Sequence, residues 1–106
     1  MLVEVKGVRQ IPDEGIRRWF MDKDMDLILW YDTESNHLIG FQISYDKRSV
    51  QRTVTWKSSN EGRTSSSLTC DGPFNKNRVI RLIEQSGEEM DRELITFIIE
   101  QLQNKN

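Results

Sequence analysis

The chain has 106 residues, enough for one hydrophobic core and too few for two, so a single domain over 1–106 is expected. Its 15 basic and 17 acidic residues leave a net charge of -2, which excludes a general electrostatic attraction to nucleic acid or an anionic membrane. Cys70 is the only cysteine, which excludes an intramolecular disulfide and a multi-cysteine zinc site and suits the reducing cytoplasm.

Alternation of apolar and polar residues predicts strands at roughly 2–8, 16–21, 27–32, 38–45, 49–57 and 63–70. Their connections are short and rich in turn formers: QIPDEG at 10–15, ESNH at 34–37, DKRS at 46–49 and SSNEG at 58–62. Short connections imply antiparallel pairing in a meander. After DGP at 71–73 the apolar period becomes helical, through Val79, Ile80, Leu82 and Ile83 and again through Met90, Leu94, Ile95, Phe97, Ile98, Ile99 and Leu102. Asn75 is placed to cap the first helix and Gly87 to end it, while Ser86 and Glu89 have capping-box spacing for the second.

The expected fold class is α+β: an antiparallel meander sheet of about six strands, roughly 2–70, covered on one face by two C-terminal helices, roughly 75–103. No apolar stretch approaches the ~20 residues that span a bilayer. The opening MLVEVKGVRQ lacks the apolar segment and cleavage site of a signal peptide, so a cytoplasmic protein with no membrane partner is expected.

MDKDMD at 21–26 sets Asp22, Asp24 and Asp26 at alternate positions, as a calcium loop would. An EF-hand starting at Asp22 needs glycine at its sixth position and glutamate at its twelfth, where the chain has Leu27 and Thr33. The flanks read as strands, so a solvated hairpin turn is expected and no metal site. The single His37 falls in a polar hairpin tip, and the glycines lack nucleotide-loop spacing. Glu88 and Glu89 stand at a helix start, where the helix dipole explains them. No catalytic residue, metal or cofactor is expected.

Strand register carries the rest. A tight hairpin at Lys47 and Arg48 would pair Tyr45 with Val50, Ile43 with Arg52, Phe41 with Val54 and Ile39 with Trp56. Setting Leu27, Leu29 and Tyr31 opposite Tyr45, Ile43 and Phe41, and Phe20 opposite Leu27, gives the row Arg18, Leu29, Ile43, Arg52, with Leu68 or Ser66 next. Two arginines then face the core. A buried guanidinium must reach solvent, a carboxylate such as Glu84, Glu93 or Glu100, or a ligand anion. In the last case Arg18, Tyr45, Arg52, Ser66 and Cys70 would line a site for a small carboxylate or phosphate between sheet and helices.

The opposite face carries polar Gln42, Ser44, Gln51, Thr53, Thr55, Ser65 and Ser67, but Arg17, Trp19, Met21, Ile28 and Trp30 cluster at one end. Two tryptophans with an arginine have the composition of an interface hot spot. The alternatives are a cover supplied by the N-terminal strand and a stacking platform for nucleic acid, against which the net acidity argues.

GVRQIPDEGIRRWFMDKDMDLILWY, then GFQISYDKRSVQRTVTW, then the helix of DGPFNKNRVIRLI, resemble a group of small bacterial proteins of about this length with no assigned function. The resemblance implies one intact domain in the bacterial cytoplasm and supplies no activity, ligand or catalytic residue. Two functions are therefore expected. One is a non-catalytic interaction module, binding a protein partner or a second copy of itself through the aromatic patch. The other is a binder of a small anionic ligand through Arg18 and Arg52.

Overall fold

Each alternating stretch becomes a strand, and each strand pairs with its neighbour in the chain. The computed structural model describes residues 2–12, 15–47, 51–58, 66–70, 75–88 and 90–103. Strands β1 (Val3–Glu4), β2 (Ile16–Met21), β3 (Met25–Tyr31), β4 (Leu38–Tyr45), β5 (Arg52–Ser58) and β6 (Ser66–Cys70) form one six-stranded sheet in chain order. All five pairings are antiparallel. Helices α1 (Lys76–Ser86) and α2 (Arg92–Gln103) follow, so the chain is an α+β meander with a C-terminal helical pair. Val50, Ser65, Glu89, the DGP turn, half of the 46–49 tip and most of the 58–62 tip lie outside the described residues.

The expected strand over 2–8 shortens to two residues because the chain turns at 6–7, where Gly7 takes a left-handed φ of 71°. A side chain then takes over the pairing. The Gln10 amide donates to the Arg17 carbonyl at 2.9 Å and accepts from the Arg17 amide at 2.8 Å, completing the ladder that Val5 continues to the Trp19 carbonyl.

The β2–β3 register is the expected one, with Arg18 opposite Leu29, Trp19 opposite Ile28 and Arg17 opposite Trp30. The next two registers differ from expectation by two residues. Leu27 faces Ile43 and Leu29 faces Phe41, while Tyr45 faces Arg52, Ile43 faces Val54 and Phe41 faces Trp56. The connection after Tyr45 is longer than a two-residue tip, and Asp46 enters it at a φ of 57°. A bulge between Trp30 and Tyr31 pairs Tyr31 with Leu38 and Trp30 with Gly40, which leaves Ile39 unpaired. A slip of two preserves which face each side chain occupies but changes its row neighbours. The row through Arg18 therefore reads Leu29, Phe41, Trp56, Leu68, and Arg52 falls in another row with Tyr45 and Met25.

The core lies between the inner sheet face and the helices. Met25, Leu27, Leu29, Phe41, Ile43 and Val54 from the sheet meet Val79, Ile83, Ile95, Ile98 and Leu102 from the helices, all without exposure. Phe41 stacks on Trp56 at 5.4 Å, and Trp56 meets Phe97 of α2 edge to face at 5.3 Å. Leu2 is buried in the same core, and its amide donates to the Ser86 carbonyl at 2.8 Å, tying the start of the chain to the end of α1.

Asn75 caps α1, its side chain accepting from the Arg78 amide at 3.1 Å, and the Gly87 amide closes the helix on the Ile83 carbonyl. Ser86 is the last residue of α1, so it cannot open α2 as a capping box would require. Asp91 stands before α2 instead, its carboxylate accepting from the Glu93 amide at 3.1 Å.

Candidate functional site

The inner-face arginines are held apart by the sheet. Arg18 sits near the β1 edge, where Glu4 takes it in a two-pronged ion pair with both contacts at 2.9 Å. Its guanidinium also lies over the Phe20 ring at 4.9 Å. The hydrogen bond from Arg18 holds the Glu4 carboxyl below its ordinary range, with burial opposing it, and raises the guanidinium in turn. The carboxylate that answers Arg18 thus comes from β1, not from the helix residues Glu84, Glu93 or Glu100. Arg52 is on the order of 20 Å away by strand spacing and rise, three strands across and four residues along.

Of the five inner-face residues, the structure brings Tyr45, Arg52 and Cys70 together. Tyr45 and Arg52 are direct cross-strand partners, and Cys70 faces Val54 one row away. Burial pushes the Tyr45 phenol up, with Cys70 nearby adding to it and Arg52 opposing. Arg18 is absent from this group. Ser66 faces Ser58 at the opposite end of β6, and its side chain lies outside the described residues.

The three aspartates close a turn. Asp22 Oδ1 accepts from the amides of Asp24 and Met25 at 2.8 and 2.9 Å, and Lys47 Nζ reaches Asp26 Oδ1 at 2.8 Å and the Asp22 carbonyl at 3.2 Å. The Lys47 ammonium thus pairs with the Asp26 carboxylate across the loop. Among the described residues no three His, Cys, Asp or Glu side chains stand together as a metal would need. His37 is exposed in a hairpin organised by Asp32, whose carboxylate accepts from the Ser35 amide and hydroxyl. No helix of the described residues is long and apolar enough to cross a membrane.

On the outer face Trp19, Ile28 and Trp30 are half-buried and lie outside the core cluster, and Met21 is 39% exposed beside them. The N-terminal segment reaches one side of this cluster, where Arg17 Nη2 donates to the Arg9 carbonyl at 2.7 Å. Arg17 Nε and Trp19 Nε1 are buried there without a partner. The expected cover therefore reaches Arg17 and borders Trp19.

Toward β4 and β5 the same face opens into a groove of about 460 Å³, lined by Trp30, Ile39, Gly40, Gln42, Thr55, Lys57 and Ser58. Trp30, Gly40 and Lys57 are consecutive partners in one row, and Gln42 faces Thr55 in the next. A Cβ on Gly40 would stand 3.7 Å from Trp30 Cε3 and 3.2 Å from the Trp56 carbonyl oxygen, so the ring lies against bare backbone. The bulge at Trp30 turns Ile39 from its expected core position into the groove wall. Ile39, Gly40 and Lys57 were not legible as site residues, because the signal is the pairing of Trp30 with a glycine and appears only in the observed register. No family model, curated protein or solved structure matches this chain.

Proposed function

We propose that the chain is a non-catalytic recognition module of the cytoplasm that engages a protein partner, or a second copy of itself, through the outer face of its sheet. The observation that carries this reading is the apolar cluster of Trp19, Ile28 and Trp30 on the face opposite the helices, outside the core and continued by Met21. Tryptophan and arginine dominate binding energy where they meet a partner. Arg17 at the rim supplies a charge that a partner can complement.

Light scattering across a concentration series, with Trp30→Lys beside the wild type, tests the proposal. The expected result is a wild-type dimer that becomes a folded monomer on substitution. A wild type that stays monomeric throughout transfers the surface to a foreign partner. A dimer that Trp30→Lys leaves intact removes the outer face from consideration as the contact.

A further inference from the structure

We infer that the groove beside Trp30 is a binding site for an acidic saccharide, a hydroxylated ring carrying one carboxylate. This inference rests on the outer face being the working surface, and it names a small ligand for the end of that face away from the N-terminal segment.

The argument begins with hydrogen-bonding capacity. Gln42 and Thr55 face each other across β4 and β5, and neither side chain has a hydrogen-bond partner among the described residues. Their neighbours one pair along behave differently, since Ser44 and Thr53 bond each other at 3.3 Å. An amide and a hydroxyl both donate and accept, which matches the vicinal hydroxyls of a sugar. Lys57 is exposed and carries no ion pair among the described residues. All three project from inner strands into the groove that Trp30 walls.

Shape agrees with chemistry. With neighbouring strands ~4.8 Å apart, Trp30 and Lys57 stand about 10 Å from each other across Gly40, roughly the span of one pyranose ring with its carboxylate. Gly40 carries no side chain between them, which lets the Trp30 ring lie against the backbone there and form one wall of the groove that Lys57 faces. An indole face carries negative charge density, so it attracts the polarised C–H face of a sugar ring. A volume of about 460 Å³ lies within the range of small-molecule sites.

The charge distribution selects the anion. A phosphate is ordinarily gripped by several backbone N–H groups at a helix start or nest. Here the groove is floored by β4 and β5, both interior strands whose backbone groups serve the ladder, and among the described residues that line it Lys57 is the one cation. The Lys57 ammonium against a polar, aromatic wall, with no backbone nest among the described lining residues, fits one carboxylate better than a nucleotide phosphate.

The test is an NMR titration of the folded protein with galacturonate and its trimer, beside galactose, acetate and adenosine monophosphate. Saturable shifts centred on the Trp30 indole, the Gln42 side-chain amide and the Gly40 and Thr55 amides are expected for the uronates. Galactose and acetate should bind at least about tenfold more weakly, since each lacks half of the recognised chemistry. Lys57→Met, an exposed substitution checked for folding by circular dichroism, should weaken uronate binding by about tenfold or more. Thr55→Val should weaken it by a smaller factor. Uronate shifts that never saturate, that fall elsewhere, or that Lys57→Met leaves unchanged overturn the inference. Adenosine monophosphate binding as tightly as galacturonate overturns it too. Failure here with a Trp30→Lys-sensitive dimer intact would discard the ligand and leave the interface reading standing. Uronate binding by a strict monomer would do the reverse.

Discussion

Gly87 closes α1 with a φ of -93°, a conformation open to any residue, so the demand for glycine here comes from space. A Cβ would stand 2.7 Å from Ile95 Cδ1 and 2.8 Å from the Ile83 carbonyl oxygen, where α2 crosses close to the end of α1. Gly87→Ala should therefore destabilise by about 1–3 kcal/mol, read as a lower urea midpoint at unchanged slope. A stabilised variant would mean that α2 gives way freely. Charged residues make a second prediction at this scale. The Glu4 carboxyl is held below its ordinary 4.5, chiefly by the hydrogen bond from Arg18. Burial opposes ionisation of Asp22, yet hydrogen bonds from Asp24, Met25 and Ser86 bring it below its ordinary 3.8. A carboxyl with a depressed folded pKa binds fewer protons folded than unfolded, so its contribution is complete above the ordinary value and is lost as the pH falls below it. Melting temperature should stay level down to about pH 5 and then decline, less steeply in Glu4→Gln. A Glu4→Gln profile parallel to wild type would show that the ion pair contributes nothing, the common fate of an exposed pair.

Elements were legible where periodicity alone decides them. Six strands, two helices, the Asn75 cap and the side of the sheet that the paired residues take could be read from alternation and helical spacing, because a period of 2 or 3.6 survives a slip of two, while Ile39 at the bulge departs from its expected core side. Rows were not legible, because they depend on loop geometry. The long connection after Tyr45 and the bulge at Trp30 each moved the register, and together they separated Arg52 from Arg18 while bringing Gly40 beside Trp30. The Glu4 partnership escaped for a related reason: only two residues of β1 pair, and their register cannot be inferred from alternation over so short a run. The Gln10 ladder is the element whose importance is most open to measurement. Gln10→Ala removes both hydrogen bonds to Arg17, and the Arg17 amide should then exchange with solvent much faster than in wild type. The loss in global stability should be about 1–2 kcal/mol, since these bonds are exposed. Unchanged exchange at Arg17 would assign the pairing of this edge to the main chain of β1 alone.

At the scale of the whole molecule, sheet and helices share one core cluster, running from Leu2 and Phe20 through Phe41 and Trp56 to Ile95, Ile98 and Leu102. Neither layer could keep its apolar face dry without the other, because a sheet face and a helix stripe each need a partner to bury against. The N-terminal tie from Leu2 to Ser86 and the ion pair of Arg78 with Asp46 bind the layers at further points. Unfolding should consequently be one cooperative event. In urea, far-ultraviolet circular dichroism, weighted toward the helices, and fluorescence, to which the buried Trp56 of the sheet contributes, should give coincident transitions. Phe97 sharpens the test because it reaches from α2 to Trp56, yet is itself only partly buried. Phe97→Ala should cost about 2–4 kcal/mol and shift both transitions together. If the helical signal alone moved, or moved first, α2 would be a separately stable layer and the meander would hold its inner face by other means. Coincident shifts would instead make Trp56 and Phe97 part of the bond between layers, with the sheet's inner face and α2 folding as one unit.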